Sequence, residues 1–176
     1  MTSPRPAHST GLTSAAAAAG LSAAQAEALA MGVPVTVAVL DEGGAVKLLS
    51  RMDGAPLISV ETATRKAYAA VAIGLPPDEF FEAIKDDPAA VASFATRPGL
   101  ALIAGGLPVV IDGTVVAGLG VAGAMTGAED RRIAERAAVA AVAALAADDH
   151  GTGHESSREP ASCPDARAGM FRGKRQ

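Results

Sequence analysis

Arg51 and Asp53 are the residues whose types and spacing most directly suit chemistry. They belong to an Arg-Met-Asp-Gly run between a strand-like segment and a helix-like segment. An extended backbone would place both side chains on the same side. A guanidinium beside a carboxylate can orient a carboxylate, enol or phosphate ligand through paired hydrogen bonds. The same two residues can instead form a salt bridge that fixes the corner, and both interpretations stay open at this point.

Lys66 lies on the helix-like segment that follows, between alanines that predict a buried face. A lysine near that face must extend its amine to solvent, pair with a charge or take part in chemistry. If it lies near Asp53, it could act as an acid, a base or an anion clamp. We therefore predict that Arg51, Asp53 and Lys66 form a catalytic corner.

Four other residues are candidates for ligand contact: Glu61, Tyr68, Gly105 and Gly106. Tyr68 is the only tyrosine, and it could donate a proton, stack on a ligand or simply pack with its hydroxyl at the surface. The glycine pair precedes a strand and lacks the rest of a dinucleotide-binding pattern. It predicts a bulge or a close backbone approach, whose N–H groups could line a pocket.

Histidine and cysteine are confined to the predicted tails, at His8, His150, His154 and Cys163. A Ser-His-Asp site is therefore not expected, because the body offers no histidine as base. One cysteine excludes a disulfide framework within the chain and a cluster of thiolate metal ligands. We predict no metal site.

Hydrophobic periodicity and turn residues predict the elements that must position these side chains. Strands come in hairpins between helices, which indicates an α+β fold with an antiparallel sheet. The hairpins turn at Asp41–Gly44 and at Asp112–Gly113. Helices are predicted at 14–31, 57–73, 78–84, 88–95 and 128–147, strands at 35–40, 45–50, 107–111 and 114–121, and a further short apolar run at 101–104. Thr13 or Ser14 is the predicted cap of the first helix, Gly32 its predicted end, and Ser59 the candidate cap of the second. The helices at 78–84 and 88–95 are polar enough that we expect both to lie outside the core.

Length and composition bound the rest of the interpretation. The 176 residues suit one domain, with 1–11 a loose N-terminus, 12–147 the folded body and 148–176 a disordered tail. The net charge of -4 argues against a nucleic-acid surface. No apolar stretch is long enough for a bilayer and the N-terminus lacks a secretory pattern, so we expect a cytoplasmic protein. The Gly-rich last strand and Ala-rich helices favour self-association.

Four blocks of residues together resemble the GlcG/HbpS family, which includes haem-binding proteins and the C-terminal domain of PduO-type adenosyltransferases. The resemblance implies a profilin-like fold with a five-stranded antiparallel sheet flanked by helices. It also implies dimers or larger assemblies and a haem-related activity. The blocks are Asp41–Gly44, Arg51–Ala55, Lys66–Tyr68 and Gly105–Val110.

Three hypotheses for function remain. The resemblance implies a small-molecule-binding protein whose ligand is haem or another tetrapyrrole, and a body ligand for iron would then be Tyr68, Met52 or Met125, unless His150 folds back. The alternative is a cofactor-free enzyme that acts on a small anionic or carbonyl substrate by acid–base chemistry, as an isomerase, dehydratase or cyclase. The third is a partner-binding module without pocket chemistry.

Overall fold

A computed structural model of the chain describes residues 11–151, with side chains up to residue 147. Within this range the chain forms five helices and four strands. They are α1 (Ser14–Met31), β1 (Thr36–Asp41), β2 (Val46–Arg51), α2 (Ile58–Ile73), α3 (Pro77–Ile84), α4 (Pro88–Ala95), β3 (Gly106–Ile111), β4 (Thr114–Ala122) and α5 (Gly127–Gly151).

The strands form one antiparallel sheet in the order β2-β1-β4-β3. The two hairpins confirm the α+β prediction, whereas the expectation of five strands is wrong for the part of the chain described. The apolar run at 101–104 forms no strand; it bends at Ile103 and turns at Ala104. Gly105 follows with a φ of 104°, which ends any extended path before β3 begins.

The sheet is covered by helices on both faces, because successive apolar residues of β1 are buried on alternate faces. Val37 and Val39 are buried in the cluster that includes α1 and α5. Ala38 and Leu40 are buried on the opposite face, against α2. Because successive strand residues point to opposite faces, one apolar strand can support both helical layers. No helix among the described residues is both long and apolar enough to cross a membrane.

Glycines in β4 allow α2 to approach the sheet closely. A Cβ at Gly118 or Gly120 would overlap the backbone oxygens of Ala67 and Ala63 in α2. The close approach expected from the glycines is therefore confirmed, but its partner is a helix of the same chain. Self-association stays a prediction and has to rest on other surfaces.

The ends of the helices agree with the sequence in part. Thr13 caps α1 by accepting a hydrogen bond from the Ala16 N–H at 3.1 Å, and Gly32 ends it with a φ of 68°, both as predicted. Ser59 is not the predicted cap of α2, because it lies inside the helix. Its buried hydroxyl instead contacts the Thr36 hydroxyl at 2.6 Å. The backbone of α5 continues to Gly151, beyond the predicted end at residue 147.

The helices α3 and α4, residues 77–95, form a peripheral segment that we call the flap. Pro77 is the only buried residue of α3, and α4 has none. This confirms the prediction that both helices lie outside the core. The flap is held together by an edge-to-face contact between Phe80 and Phe94, with ring centroids 4.9 Å apart.

Candidate functional site

Lys66 is buried and forms an ion pair with Asp130 of α5. Its side chain is 3% exposed, and its Nζ donates to Asp130 Oδ2 at 2.7 Å. The same ammonium donates to the backbone oxygen of Val121 at 2.9 Å. Such a pair is costly to desolvate, so each charge depends on its hydrogen bonds to the other. The Lys66 ammonium is therefore fixed where α2, β4 and α5 meet.

Gly105 and Gly106 make room for this pair. A Cβ at Gly105 would lie 2.9 Å from Lys66 Nζ and 2.7 Å from the Cβ of Asp130. A Cβ at Gly106 would lie 2.6 Å from the backbone oxygen of Lys66. The two glycines therefore mark a close backbone approach, which is one of the two interpretations predicted for them. The predicted bulge lies elsewhere in β3, between Val109 and Val110.

The pKa of Asp130 is raised above its ordinary value. Burial is the main cause, because it penalises the charged carboxylate. Hydrogen bonding and attraction from Lys66 oppose the rise, as does the hydrogen bond that Oδ1 accepts from the Ala124 N–H at 3.1 Å. Nearby Glu129 adds a smaller upward contribution. A carboxyl with a raised pKa beside an ammonium can exchange a proton more readily than a surface carboxyl can.

A cavity of about 1120 Å³ opens over the Lys66–Asp130 pair. Its walls come from α2, the flap, the segment 100–104 and the connection from β4 to α5. Most of the lining is apolar, and its charged groups are at the Lys66–Asp130 pair and along α3. The apolar members include Phe81, Val91, Phe94, Leu100, Leu102 and Ile103. An apolar cleft with a few converging polar groups is the usual form of a small-molecule site.

Arg131, the residue after Asp130, attaches the flap to α5. Its Nη1 donates to both carboxylate oxygens of Asp78, at 3.1 and 2.9 Å, and its Nη2 donates to Glu79 at 2.6 Å. Its Nε contacts Glu135 at 3.2 Å. The hydrogen bond that Glu79 accepts from Arg131 is the main cause of the raised pKa of Arg131. Adjacent residues of α5 therefore hold two parts of the cavity: Asp130 holds Lys66, and Arg131 holds the flap.

The predicted corner is divided in the structure. The chain leaves the extended conformation after Arg51, and Gly54 has a φ of 87°. Arg51 donates through Nε and Nη2 to the backbone oxygen of Ala55, at 2.9 and 2.5 Å. Asp53 is exposed in the turn, and Lys66 pairs with Asp130 instead. The expected convergence of Arg51, Asp53 and Lys66 on one another is not found, and a ligand role for Arg51 and Asp53 stays a prediction.

Glu61 and Tyr68 also lie outside the cavity lining. Glu61 forms an exposed ion pair with Arg65, one helical turn away. The Tyr68 ring packs between two glycines, since a Cβ would lie 3.0 Å from the ring at Gly44 and 3.4 Å from it at Gly99. This is the packing interpretation considered for Tyr68. Ligand contact by either residue stays a prediction.

Asp130 is not among the site residues predicted from the sequence, although the pattern of α5 indicates that it is buried. Asp130 precedes Ile133, Ala134 and Ala137 by three, four and seven residues, so it lies on the buried face of α5. An acidic residue on such a face needs a cationic partner. The partner, Lys66, is far away in sequence, so only the fold brings the two together.

No three His, Cys, Asp or Glu side chains converge in a way that could hold a metal ion among the described residues. His150 lies in the last turn of α5, beyond the described side chains. His8, His154 and Cys163 lie outside the described residues.

Comparison with known proteins supports the resemblance. The family described as haem degrading protein HbpS-like matches residues 12–139. The chain belongs to the HbpS-like family. The Escherichia coli protein GlcG is 36% identical over 105 residues, which cover 60% of this chain and 76% of GlcG.

Two solved structures of similar proteins bear on the ligand. A double mutant of HbpS from Streptomyces reticuli is 36% identical, with a TM-score of 0.68, and the match covers 79% of this chain and 97% of that one. A complex of PduOC with haem is 27% identical, also with a TM-score of 0.68, and the match covers 74% of this chain and 94% of that one. A haem-related binding protein is therefore supported at the level of the family.

Proposed function

We propose that this chain binds haem or another tetrapyrrole in the cavity over the Lys66–Asp130 pair. The observation that carries the proposal is the cavity itself, with a volume of about 1120 Å³ and a mainly apolar lining. A volume of that order matches sites for drug-sized ligands and cofactors. The complex of the related PduOC with haem agrees with the same ligand class.

The lining fits a flat apolar macrocycle. Phe81 and Phe94 of the flap offer aromatic surface, and Leu100 and Ile103 offer aliphatic surface on another wall. The carboxylates on α3 are partly compensated, because Lys85 pairs with Glu82 and Arg131 pairs with both Asp78 and Glu79, which leaves one net negative charge. Propionate groups of a tetrapyrrole would therefore meet carboxylates whose negative charge is partly neutralised.

Met125 is the one cavity-lining residue of a type that commonly ligates haem iron, within the described chain. It is 95% exposed, in the connection between β4 and α5. Haem, when bound, supplies iron for redox chemistry. The chain supplies the apolar walls, the buried polar pair and Met125, so most of the binding free energy comes from contacts with the macrocycle.

Titration with haemin and with metal-free protoporphyrin IX, followed by absorbance, tests the proposal. We expect both to bind, since the walls contact the ring. Ile103→Asp, in the cavity, should weaken binding at least tenfold, because it places a charge against the macrocycle. Val110→Asp is the matched control, since Val110 is similarly exposed but lies on β3 outside the cavity. The proposal would be contradicted if stoichiometric porphyrin caused no spectral change, or if both variants lost affinity to the same extent.

A second candidate is the cofactor-free enzyme acting on a small anionic or carbonyl substrate. The observation that favours it is the buried Lys66–Asp130 pair in the cavity wall, with the raised Asp130 pKa. A dry acid–base pair of this kind suits proton transfer beside a carbonyl, as in isomerisation, dehydration or cyclisation. Arg51 remains a proposed participant that would orient the substrate, and Asp53, like Lys66, remains a proposed proton carrier.

Proton exchange tests this second candidate without knowledge of the substrate. Small 2-oxo acids and ketones are incubated with the protein in D2O, and loss of the α-proton signal is followed by NMR. We expect exchange above the buffer rate and its loss in Lys66→Met. Arg51→Ala and Asp53→Ala then measure the contribution of the corner. Exchange at the buffer rate for every compound would remove the candidate.

A further inference from the structure

The Lys66 ammonium has one more donor than it has acceptors. A lysine ammonium carries three N–H groups. Two of them are used, by Asp130 Oδ2 at 2.7 Å and by the Val121 backbone oxygen at 2.9 Å. Within the described chain these are the acceptors of Nζ, although the side chain is 3% exposed. Leaving a donor of a buried charged group without an acceptor is costly.

The nearby oxygens already accept other hydrogen bonds, and none in the described chain is the third acceptor of Nζ. Asp130 uses its other oxygen for the Ala124 N–H at 3.1 Å. Gly105, which lies beside Nζ, gives its backbone oxygen to the Val121 N–H at 2.8 Å. Lys66 and Asp130 are both part of the cavity lining, so the cavity is where a further acceptor can enter.

We infer that Lys66 Nζ is a ligand-binding group that holds one oxygen of the molecule in the cavity. This inference rests on the proposed binding function and specifies the ligand: it carries a carbonyl or carboxylate oxygen on an otherwise apolar body. A cation is disfavoured, because Lys66 presents an N–H donor. Asp130 and Val121 fix the ammonium in place, so little side-chain entropy is lost when the oxygen binds.

The charges around the cavity are compatible with either kind of oxygen. The Lys66–Asp130 pair is neutral as a unit when both groups are ionised. On α3, Asp78 and Glu79 pair with Arg131. A neutral carbonyl would therefore bind Lys66 without repulsion, and a carboxylate would gain attraction from Lys66 against the opposing charges of Asp130 and of the α3 carboxylates. The experiment distinguishes these two sources of oxygen.

Three porphyrins with similar rings and different oxygens test the inference. Protoporphyrin IX carries carboxylates, its dimethyl ester carries carbonyl oxygens without charge, and octaethylporphyrin carries no oxygen. Each is titrated against the full chain and Lys66→Met. We expect the full chain to bind at least one oxygen-bearing porphyrin roughly 10- to 100-fold more tightly than octaethylporphyrin. Lys66→Met should lose that preference and keep its affinity for octaethylporphyrin.

Two further variants make the result interpretable. Lys47→Met removes a lysine that donates to the backbone oxygen of Leu12 and does not line the cavity, so it should keep the preference. Lys66→Met/Asp130→Asn removes both charges of the pair, and it replaces Lys66→Met if the single variant fails to fold. If the dimethyl ester also binds more tightly than octaethylporphyrin, the oxygen at Lys66 is a carbonyl. If only protoporphyrin IX does so, the oxygen is that of a carboxylate.

The outcomes separate this inference from the proposed function. If none of the porphyrins binds, the proposed function fails and the inference fails with it. If all three bind the full chain equally, tetrapyrrole binding stands and the role of Lys66 is overturned. If Lys66→Met loses the same factor in affinity for every porphyrin, the inferred role of Lys66 is also overturned, since that result indicates a structural role alone.

Discussion

At the scale of single residues, Asp130 links stability to pH. Burial raises its pKa above the ordinary value of 3.8, so the folded chain holds this proton more tightly than the unfolded chain does. The resulting stabilisation is complete below the unfolded pKa and is lost as pH rises through the folded pKa. Relative to Asp130→Asn, the free energy of unfolding of the full chain should therefore fall over that window and then level off. Urea denaturation at a series of pH values measures the difference, and a rise in the same window would contradict the sign.

Breaking the buried pair should cost more than removing it. In Asp130→Ala the Lys66 ammonium is left without its carboxylate, and loss of one partner of a buried pair costs about 3–5 kcal/mol. Lys66→Met/Asp130→Leu removes both charges and should recover most of that loss. Glu61→Ala, which breaks an exposed pair on the same helix, is the control and should change the free energy of unfolding little. Equal losses in the single and double variants would show that packing, not charge, is responsible.

The expected contacts between Arg51, Asp53 and Lys66 are not formed, because Arg51 and Lys66 bond to other partners. The burial of Lys66 follows from the alanines around it and could be predicted. Its partner could not, because Asp130 lies on another helix, 64 residues away in sequence, and only the fold brings the two together. Arg51 and Asp53 were predicted to share a side, which required an extended backbone; the turn at Gly54 removes that condition. Local patterns therefore predict burial better than they predict contacts.

At the scale of elements, the flap should be the part of the fold that opens most easily. It buries little, and Arg131 connects it to α5 through Asp78 and Glu79. These groups are partly exposed, so Arg131→Met should cost about 1 kcal/mol or less in global stability. Amide hydrogen exchange in residues 77–95 should nevertheless accelerate, because local opening needs fewer broken contacts than global unfolding.

The neighbouring arginine provides the control for this prediction. Arg132 pairs with Glu27 of α1 and makes no ion pair with the flap in the described chain. Arg132→Met should therefore leave exchange in residues 77–95 unchanged. Faster exchange in the flap for both variants, or for neither, would mean that the Arg131 ion pairs do not hold it.

Elements were predicted more reliably than their arrangement. Both hairpins follow from turn residues between apolar runs, and the structure confirms them. The expectation of five strands came from the family resemblance, whereas the apolar run at 101–104 forms no strand and residues of it line the cavity. The flap helices were predicted as peripheral, yet their role as a cavity wall depends on how α3 meets α5. That contact is set by Arg131, whose partners lie far away in sequence.

At the scale of the whole molecule, the order of the four motif blocks was enough to predict the family, and the match over residues 12–139 confirms it. Self-association was predicted from glycines in the last strand, and that argument no longer holds, since α2 covers them. We now base the expectation of self-association on a different surface. Leu57 and Ile58 are adjacent, 76% and 67% exposed, at the start of α2. Exposed neighbouring apolar side chains are typical of interaction surfaces.

We expect the full chain to sediment as a species heavier than its 17.4 kDa monomer. Leu57→Glu should shift it towards the monomer, because the introduced carboxylates would be desolvated in an interface between two copies. Leu29→Glu is the matched control, since Leu29 is 70% exposed on α1, away from this surface. Sedimentation velocity at several concentrations measures the shift. A monomer at every concentration would refute self-association, whereas an equal shift in both variants would place the interface elsewhere.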